Sequence, residues 1–220
     1  GLGPCFIKLG QALSTRPDLV RRDWLEELTR LQDDLPAFPH ATALACIREE
    51  LGAPAEELFE EFPDTPIAAA SLGQVYKARL QGQHWVAVKV QRTNLTFILR
   101  RDLVLIRALG VMTAPLLPLN LGFGLGGIID EFGRSLFEEI DYGLEAANAE
   151  RFSALFADND AVYIPKVERM LSSTRVLTTT WIDGAKMRDS EELRSQRLDP
   201  TALIRTGVIC GLQQLLEFGY

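Results

Sequence analysis

Residues 67–91 read IAAASLGQVYKARLQGQHWVAVKVQ, and this stretch decides the fold. Its segment VAVKV alternates valines with Ala87 and Lys89, which is the period-two pattern of a half-buried strand. The alternation puts Ala87 and Lys89 on one face of the strand and the valines on the other. The residues 81–83, Gln-Gly-Gln, predict a turn. The stretch therefore predicts an antiparallel hairpin that follows a loop of small side chains.

The face that carries Lys89 has the chemistry of a nucleotide site. We expect Val75, on the first strand, to lie over Ala87. The two side chains would then enclose a narrow apolar slot, and the Lys89 ammonium would lie deeper in this slot. A flat ring fits such a slot, and a phosphate chain can meet the ammonium. Protein kinases hold ATP in this way, with a glycine-rich loop and a strand that carries V-A-I-K. A plain hairpin with a surface lysine fits the same alternation.

The loop before the first strand departs from the kinase pattern. Small residues stand where glycines are expected, namely Ala68, Ala69, Ala70 and Ser71, and only Gly73 remains. Methyl groups hinder close approach of the backbone to phosphate, so we expect the loop to cover a nucleotide differently. The pair AAASxGQV and VAVK resembles the UbiB family, also called the ADCK-type atypical kinases, in which an alanine-rich loop replaces the glycine-rich one.

Two further segments carry the same resemblance. The run FIKLGQ at residues 6–11 matches the KxGQ signature of the family, and periodicity predicts a helix there with Lys8 and Gln11 on one side. Glu139 and Asp141 match the E-x-D motif, with EAxNAERF after it. The resemblance implies that the KxGQ segment folds over the nucleotide pocket as a regulatory lid.

The resemblance also implies the ion pairs of the site. Lys8 is expected to pair with Glu139 or Asp141, and Glu145 to pair with Lys89. Geometry alone also allows Glu139 as the partner of Lys89. A charged helix with unrelated surface acids is the alternative interpretation of the same spacing.

Residues 164–167 and 175–182 predict two antiparallel strands, and the second would end in the hinge between two kinase lobes. Backbone groups of the hinge bind adenine in kinases, and Asp183 would approach the ribose; a hairpin that ends in an Asp-Gly turn is the alternative. The expected catalytic residues are Lys89 and Glu145. The expected nucleotide-binding residues are Ala68, Ala69, Ala70, Ser71, Gln74, Val75, Ala87, Lys89, Thr180, Trp181 and Ile182.

Apolar periodicity predicts helices on both sides of the hairpin, over residues 23–35, 42–51, 95–110 and 201–218, with a short helix after Pro54. Gly52 is expected to cap the second of these helices. Residues 130–156 predict one long helix. The expected inward-facing residues are Ile98, Leu99, Leu103, Ile106 and Leu109; then Leu136, Ile140, Leu144 and Ala147; then Ala202, Val208, Leu212, Leu215 and Leu216.

Composition narrows the class of protein. The 220 residues are 47% hydrophobic and 24% charged, as in ordinary globular domains, and the net charge of −7 gives no nucleic-acid footprint. Cys5, Cys46 and Cys210 form no C-x-x-C pair, which indicates neither a metal site nor a disulfide framework and fits a reducing compartment. The uncharged stretch 108–129 is broken by prolines and glycines, so a connection, buried or facing a membrane, is favoured over a spanning helix.

These patterns predict an α+β fold: a protein-kinase-like small lobe of antiparallel sheet plus long helix, between a helical extension and the start of a helical large lobe. The expected domains are residues 1–62, 63–184 and 185–220. Neither H-x-D-P-H-P-G-N nor D-F-G occurs in the sequence. The resemblance therefore places the catalytic loop and the magnesium ligands after Tyr220, and we expect a fragment that is inactive alone.

The resemblance implies a parent protein that is an atypical kinase or ATPase. It would use ATP and Mg²⁺ and support isoprenoid-quinone (ubiquinone or plastoquinone) metabolism. It would be intracellular and membrane-associated, in a bacterium, mitochondrion or plastid, and contact a membrane or an isoprenoid lipid. The alternative is a non-catalytic, nucleotide- or lipid-responsive regulatory module. A third interpretation is a helical scaffold whose kinase-like lobe binds nothing.

Overall fold

The computed structural model describes residues 3–15, 17, 21–29, 36–82, 84–113, 125–185, 187 and 190–219. The helices are α1 (Pro4–Ser14), α2 (Arg22–Thr29), α3 (His40–Leu51), α4 (Ala55–Leu58), α5 (Leu95–Thr113), α6 (Leu125–Glu139), α7 (Tyr142–Leu155), α8 (Ser190–Ser195) and α9 (Pro200–Leu216). The strands are β1 (Ala68–Ala69), β2 (Gly73–Arg79), β3 (Trp85–Gln91) and β4 (Val176–Thr180). The predicted α+β class is confirmed.

Across these described ranges, four strands form one antiparallel sheet in the order β1-β2-β3-β4. The predicted hairpin is β2 and β3, and Gly82 turns the chain with a φ of +63°. The expected placement of Val75 over Ala87 is wrong: Lys77 lies opposite Ala87, and Val75 lies opposite Lys89. The turn sets this register, since the Leu80 N–H donates to the His84 carbonyl at 3.3 Å.

One face of the sheet packs on α3. The buried residues of this core are Tyr76, Ala78, Val86, Val88, Val90 and Val176 from the strands with Ala43, Cys46, Ile47 and Phe59 from the helical side. Full burial of a valine side chain contributes about 1.5–3 kcal/mol, so the alternating valines account for much of the stability of this layer. Gly52 ends α3 in the left-handed region, as predicted.

The other face of the sheet packs on α7. Tyr142 and Ala146 of α7 are buried against Leu177 of β4 and Val167. Lys89 lies opposite Leu177 in the sheet, so its side chain leaves the sheet on the face that α7 covers. The helix and the lysine are thereby brought to the same side.

The long helix predicted over residues 130–156 is wrong, because α6 ends at Glu139 and α7 begins at Tyr142. Asp141 between them has extended backbone angles, and its carboxylate accepts hydrogen bonds from the N–H groups of Gly143 (2.9 Å) and Leu144 (3.3 Å). It is the N-cap of α7. The break resets the helical phase, so that Leu144 is 47% exposed and Ala147 is exposed, whereas both were expected in the core.

Two hydrogen bonds join this break to the sheet. The Gln91 amide, at the end of β3, donates to the Ile140 carbonyl at 2.5 Å, and the Tyr142 N–H donates to the Thr174 carbonyl at 3.1 Å. Helix ends leave backbone groups without helical partners, and a buried group without a partner is costly. The start of α7 is therefore fixed relative to β3 and β4.

A second core holds α1 on α5 and α6. Its buried members are Cys5, Leu72, Leu95, Leu99, Ile106, Leu136 and Ile140. Burial, together with the charge of Asp102, raises the pKa of the Cys5 thiol to about 11, so the thiol stays protonated. Leu109 was expected inward, and this is wrong: it is 56% exposed, because α5 runs past the last buried residue of the cluster, Ile106.

Three other expectations are corrected or limited. The inward face predicted for the last helix is exposed in α9, where Leu212 is 50% and Leu216 is 77% exposed; periodicity identified an apolar side that the described residues leave largely uncovered. Residues 164–167 form no strand, since only Val167 makes a bridge, to Thr179.

Of the helix predicted over residues 23–35, residues 30–35 lie outside the described ranges, as do residue 83 of the turn and residues 114–124. Among the helices that the structure describes, none has the length and apolarity that crossing a bilayer requires.

Gly73→Ala in the full-length protein is expected to lower the free energy of unfolding by about 1–3 kcal/mol, the usual range for overpacking. A Cβ there would lie 2.6 Å from the Tyr142 Oη and 2.6 Å from the Val90 carbonyl oxygen. Denaturant unfolding measures the change.

Gly127→Ala is the matched control, because a Cβ at this position of α6 meets no atom within 4 Å. Alanine is the better helix former, so the control should be unchanged or more stable by up to about 1 kcal/mol. Equal stability of Gly73→Ala and the control would contradict the close packing of Gly73.

Candidate nucleotide site

The centre of the candidate site is an ion pair between β3 and α7. The Lys89 Nζ donates to both carboxylate oxygens of Glu145, at 2.7 and 3.0 Å. The side chains are 33% and 43% exposed, so the pair lies at the edge of solvent. An ammonium has three N–H donors, and the bonds to Glu145 leave one that can meet a ligand oxygen.

The lysine rests on an aromatic ring. The Lys89 Nζ lies 4.5 Å from the centre of the Tyr142 ring, and Tyr142 is fully buried. Burial raises the pKa of the Tyr142 phenol, and the charges of Glu145 and Glu139 raise it further, so the phenol is protonated at neutral pH. Tyr142 and Glu145 stand three residues apart on α7 and therefore share one face of the helix.

The ion pair opens into a cleft of about 650 Å³, lined by Lys89, Glu138, Glu139, Leu144, Glu145 and Asn148. This volume lies within the range of roughly 300–1,000 Å³ that is usual for small-molecule sites. Three of the six lining residues are acidic and one is basic. Among the lining residues that the structure describes, the wall is thus mostly acidic and Lys89 is the one cation.

The helix α1, here called the lid, reaches the cleft through Lys8. The Lys8 ammonium bonds to the Glu139 carboxylate, with the side chains 22% and 44% exposed. Of the two partners that the sequence left open, the structure brings Glu139 to Lys8, whereas the carboxylate of Asp141 caps α7. Gln11 is half-buried on the turn of the lid that follows Lys8.

The alanine-rich loop, residues 68–71, is held at several points. Ala68 and Ala69 form strand β1 and pair with β2, whereas the sequence predicted a loop at these residues. The Arg92 guanidinium donates to the Ala70 carbonyl at 3.1 and 3.2 Å, and the Arg92 N–H donates to the Leu72 carbonyl at 3.0 Å. Ser71 and Leu72 are buried, and Leu72 packs in the core beneath the lid. The loop is therefore tied to both the sheet and the lid.

The predicted ring slot is only partly assembled. Val75, Ala87 and Lys89 share the face of the sheet that α7 covers. The Gln74 side chain lies on the opposite face, where its amide nitrogen donates to the Phe38 carbonyl at 3.4 Å and its oxygen accepts from the Phe38 N–H at 3.0 Å. A contact of the Gln74 side chain with a ligand in the cleft is excluded by this geometry.

The predicted hinge residues lie at the end of β4. The Thr180 N–H donates to the Lys166 carbonyl and the Trp181 N–H to the Trp85 carbonyl, both at 2.9 Å, so neither is available to a ring. The Trp181 indole donates to Asp183 at 2.7 Å, and Ile182 is 43% exposed. Thr180, Trp181 and Ile182 are not among the residues that line the cleft.

An aromatic cluster stands beside this hinge segment. The Lys77 Nζ lies 4.6 Å from the centre of the Trp181 ring and 5.2 Å from that of Trp85, and 3.8 Å from the Asp183 carboxylate. Since Lys77 pairs with Ala87 in the sheet, its side chain stands next to the slot predicted for a ring. The sequence analysis did not identify this lysine.

Sequence reasoning also missed Gln91, Tyr142 and Asn148. Asn148 lies three residues after Glu145, so helical spacing could have placed it on the cleft. Tyr142 and Gln91 could not have been found in this way, since their roles depend on contacts across the helix break and the sheet.

The residues that the structure describes gather no group of three or more His, Cys, Asp or Glu side chains suited to hold a metal ion.

Comparison with known proteins places this geometry in a family. A model of the "ABC1 atypical kinase-like domain" matches residues 30–220. The Synechocystis protein slr1919 is 52% identical over 219 residues, which cover all of this chain and 39% of that protein. The Arabidopsis thaliana protein ACTIVITY OF BC1 COMPLEX KINASE 1, chloroplastic, is 46% identical over 219 residues, which cover 99% of this chain and 32% of that protein.

A solved structure is similar to this chain in both fold and sequence. Rv3197 of Mycobacterium tuberculosis, determined in complex with erythromycin, is 34% identical with a TM-score of 0.57, over 81% of this chain and 44% of that one. The chain spans only about a third of the length of the curated relatives, between 29% and 39% for those compared. These relatives come from a cyanobacterium or are chloroplast proteins. The chain belongs to the ABC1 atypical kinase-like family, as its UbiB-type motifs indicated.

Proposed function

We propose that the protein binds ATP with Mg²⁺ in the cleft beside Lys89 and acts as an atypical kinase or ATPase. The observation that carries this proposal is the bond of the Lys89 Nζ to Glu145 at 2.7 Å, at the wall of the 650 Å³ cleft. A lysine on a strand held by a glutamate on a helix is the pair that orients the phosphates of ATP in protein kinases. Membership of an atypical kinase-like family supports the same chemistry.

The role proposed for Lys89 is to contact phosphate oxygens, and that of Glu145 is to hold the ammonium where it can do so. The bidentate bond orients the side chain without consuming its third donor. Because the pair is partly exposed, its own contribution to stability is small, about 0–1 kcal/mol. The geometry therefore favours a binding role over a structural one.

The charge of the cleft bears on the form of the nucleotide. Lys8 pairs with Glu139 and Lys89 pairs with Glu145, which leaves the charge of Glu138 uncompensated on the wall, so a free polyphosphate would meet net repulsion there. A nucleotide that carries Mg²⁺ has part of its charge neutralised. Mg²⁺ bound to the nucleotide would therefore lower this repulsion, and the resemblance implies the same metal ion.

The resemblance further supports a role in isoprenoid-quinone metabolism at a membrane, and we include it in the proposal. The names of three chloroplast relatives refer to activity of a bc1 complex, which agrees with a quinone-linked role.

In the full-length protein, Lys89→Met is expected to weaken Mg-ATP binding by roughly 10- to 100-fold, the equivalent of a hydrogen bond to a charged group worth about 1.5–3 kcal/mol. Calorimetric titration of the folded variant with Mg-ATP, and with ATP in EDTA, measures the effect.

Lys166→Met is the matched control, because the Lys166 side chain is 77% exposed and outside the cleft. The control should bind Mg-ATP as the wild type does. Absence of Mg-ATP binding by the wild-type protein, or equal affinities of the wild type and Lys89→Met, would overturn the proposal.

Two observations favour a second candidate, a nucleotide-responsive regulatory module without phosphoryl transfer. The alanine-rich loop is tied down by Arg92 and Leu72, and the lid reaches the cleft through the Lys8–Glu139 pair. The first feature limits movement of the loop, and the second places the lid against a glutamate that lines the cleft. Mg-ATP binding without turnover by the full-length protein, with or without lipid vesicles, would select the module.

Lys8→Met is expected to raise the affinity for Mg-ATP by up to about fivefold, since a partly exposed ion pair that holds the lid contributes roughly 0–1 kcal/mol. The same titration on the full-length protein measures this change.

Arg107→Met is the control, because Arg107 forms a comparable exposed ion pair with Asp130 between α5 and α6, away from the cleft. It should leave the affinity unchanged. A fall in affinity on Lys8→Met would contradict a role of the ion pair in restraining the lid.

A further inference from the structure

The unexplained residue next to the site is Tyr142. It is 0% exposed, and among the described residues no group forms a hydrogen bond with its Oη. A buried hydroxyl without a partner costs about 1–3 kcal/mol, and phenylalanine would fill the same space without this cost. The hydroxyl thus makes no hydrogen bond among the described residues, and the contacts that can give Tyr142 a role are those of its ring.

The ring faces the reactive lysine. The Lys89 Nζ stands 4.5 Å from the ring centre, and the Glu145 carboxylate bonds the same ammonium at 2.7 Å. Because the phenol is protonated, the contact is between a cation and the face of a neutral ring, and it is not an ion pair. The ammonium is thus held from two sides by residues one helical turn apart on α7.

The position of the ring is itself fixed. The Tyr142 N–H donates to Thr174, the preceding Asp141 caps the helix, and the Oη abuts Gly73, where no Cβ would fit. With these restraints, the ring has little freedom to turn away from Lys89.

We propose that Tyr142 is a positioning residue for Lys89: its ring face holds the ammonium at the cleft wall, together with Glu145, in the place where a phosphate would meet it. This inference rests on the proposed function, since the placement matters for activity only if Lys89 contacts phosphate. The ring carries the effect, and the hydroxyl does not.

The test compares Tyr142→Leu and Tyr142→Phe in the full-length protein, each with Lys89 intact and with Lys89→Met. With Lys89 intact, Tyr142→Leu should weaken Mg-ATP binding by roughly 3- to 30-fold, the range of a cation–π contact. Tyr142→Phe keeps the ring and should bind within about twofold of the wild type. In the Lys89→Met background, Tyr142→Leu should have no further effect, because the two residues act as one unit.

A second measurement does not depend on ATP. Selective ¹³C labelling of the lysines gives each an ε-methylene signal in the NMR spectrum and leaves the three N–H donors of the ammonium in place. The Lys89 signal, assigned by its loss in Lys89→Met, should show the upfield shift of a group above an aromatic ring. Tyr142→Phe should retain this shift and Tyr142→Leu should lose it.

Equal losses of affinity on Tyr142→Leu in both backgrounds, or a Lys89 ε-methylene signal without the ring shift, would overturn the inference. A loss on Tyr142→Phe as large as on Tyr142→Leu would assign the role to the hydroxyl and would also overturn it. Failure of the wild type to bind Mg-ATP would remove the proposed function, and the NMR shift would still decide whether Tyr142 holds Lys89.

Discussion

The site depends on one interruption of helical hydrogen bonding, between α6 and α7. Asp141 ends the continuity of the helix by capping α7, and Gln91 takes the carbonyl that the break releases at Ile140. Gln91 is the last residue of β3, two residues after Lys89. The strand that carries the lysine therefore also anchors the helix that carries its partner, and a shift of either element would separate Lys89 from Glu145.

The lid and the cleft meet through side chains of opposite charge. The cleft wall is acidic, and the lid supplies the Lys8 ammonium to one of its glutamates. Partly exposed pairs of this kind are weak and are screened by salt. The apolar core around Cys5, Leu99 and Leu136 therefore supplies most of the energy that holds the lid, and the ion pair adds a small part and sets where the lid meets the cleft.

Features that depend on neighbours in sequence were predictable. Alternation of apolar residues over residues 85–91 predicted the strand and the face of the strand from which the Lys89 side chain extends. The position of Gly52 predicted the end of α3. The family motifs, not the spacing, indicated that Lys8 and Glu145 would find partners across the site.

Features that depend on distant contacts were not predictable. The sequence keeps a helical pattern on both sides of Asp141. The residues that form hydrogen bonds with the backbone at the break, Gln91 and Thr174, are far from it along the chain. The register of the ring slot is set by the turn, so alternation alone put Val75 opposite the wrong residue. For α9, periodicity shows which side is apolar but not what covers it.

The pairing of the alanine-rich loop with β2 has a thermodynamic consequence. A glycine-rich loop has more conformational freedom to lose when a ligand orders it, and fixing each residue costs about 1–2 kcal/mol in conformational entropy. Here Ala68 and Ala69 are already ordered by the sheet, and Arg92 holds Ala70. Any ligand that binds beside this segment meets a preorganised wall, and amide hydrogens along it should exchange with solvent slowly even when the cleft is empty.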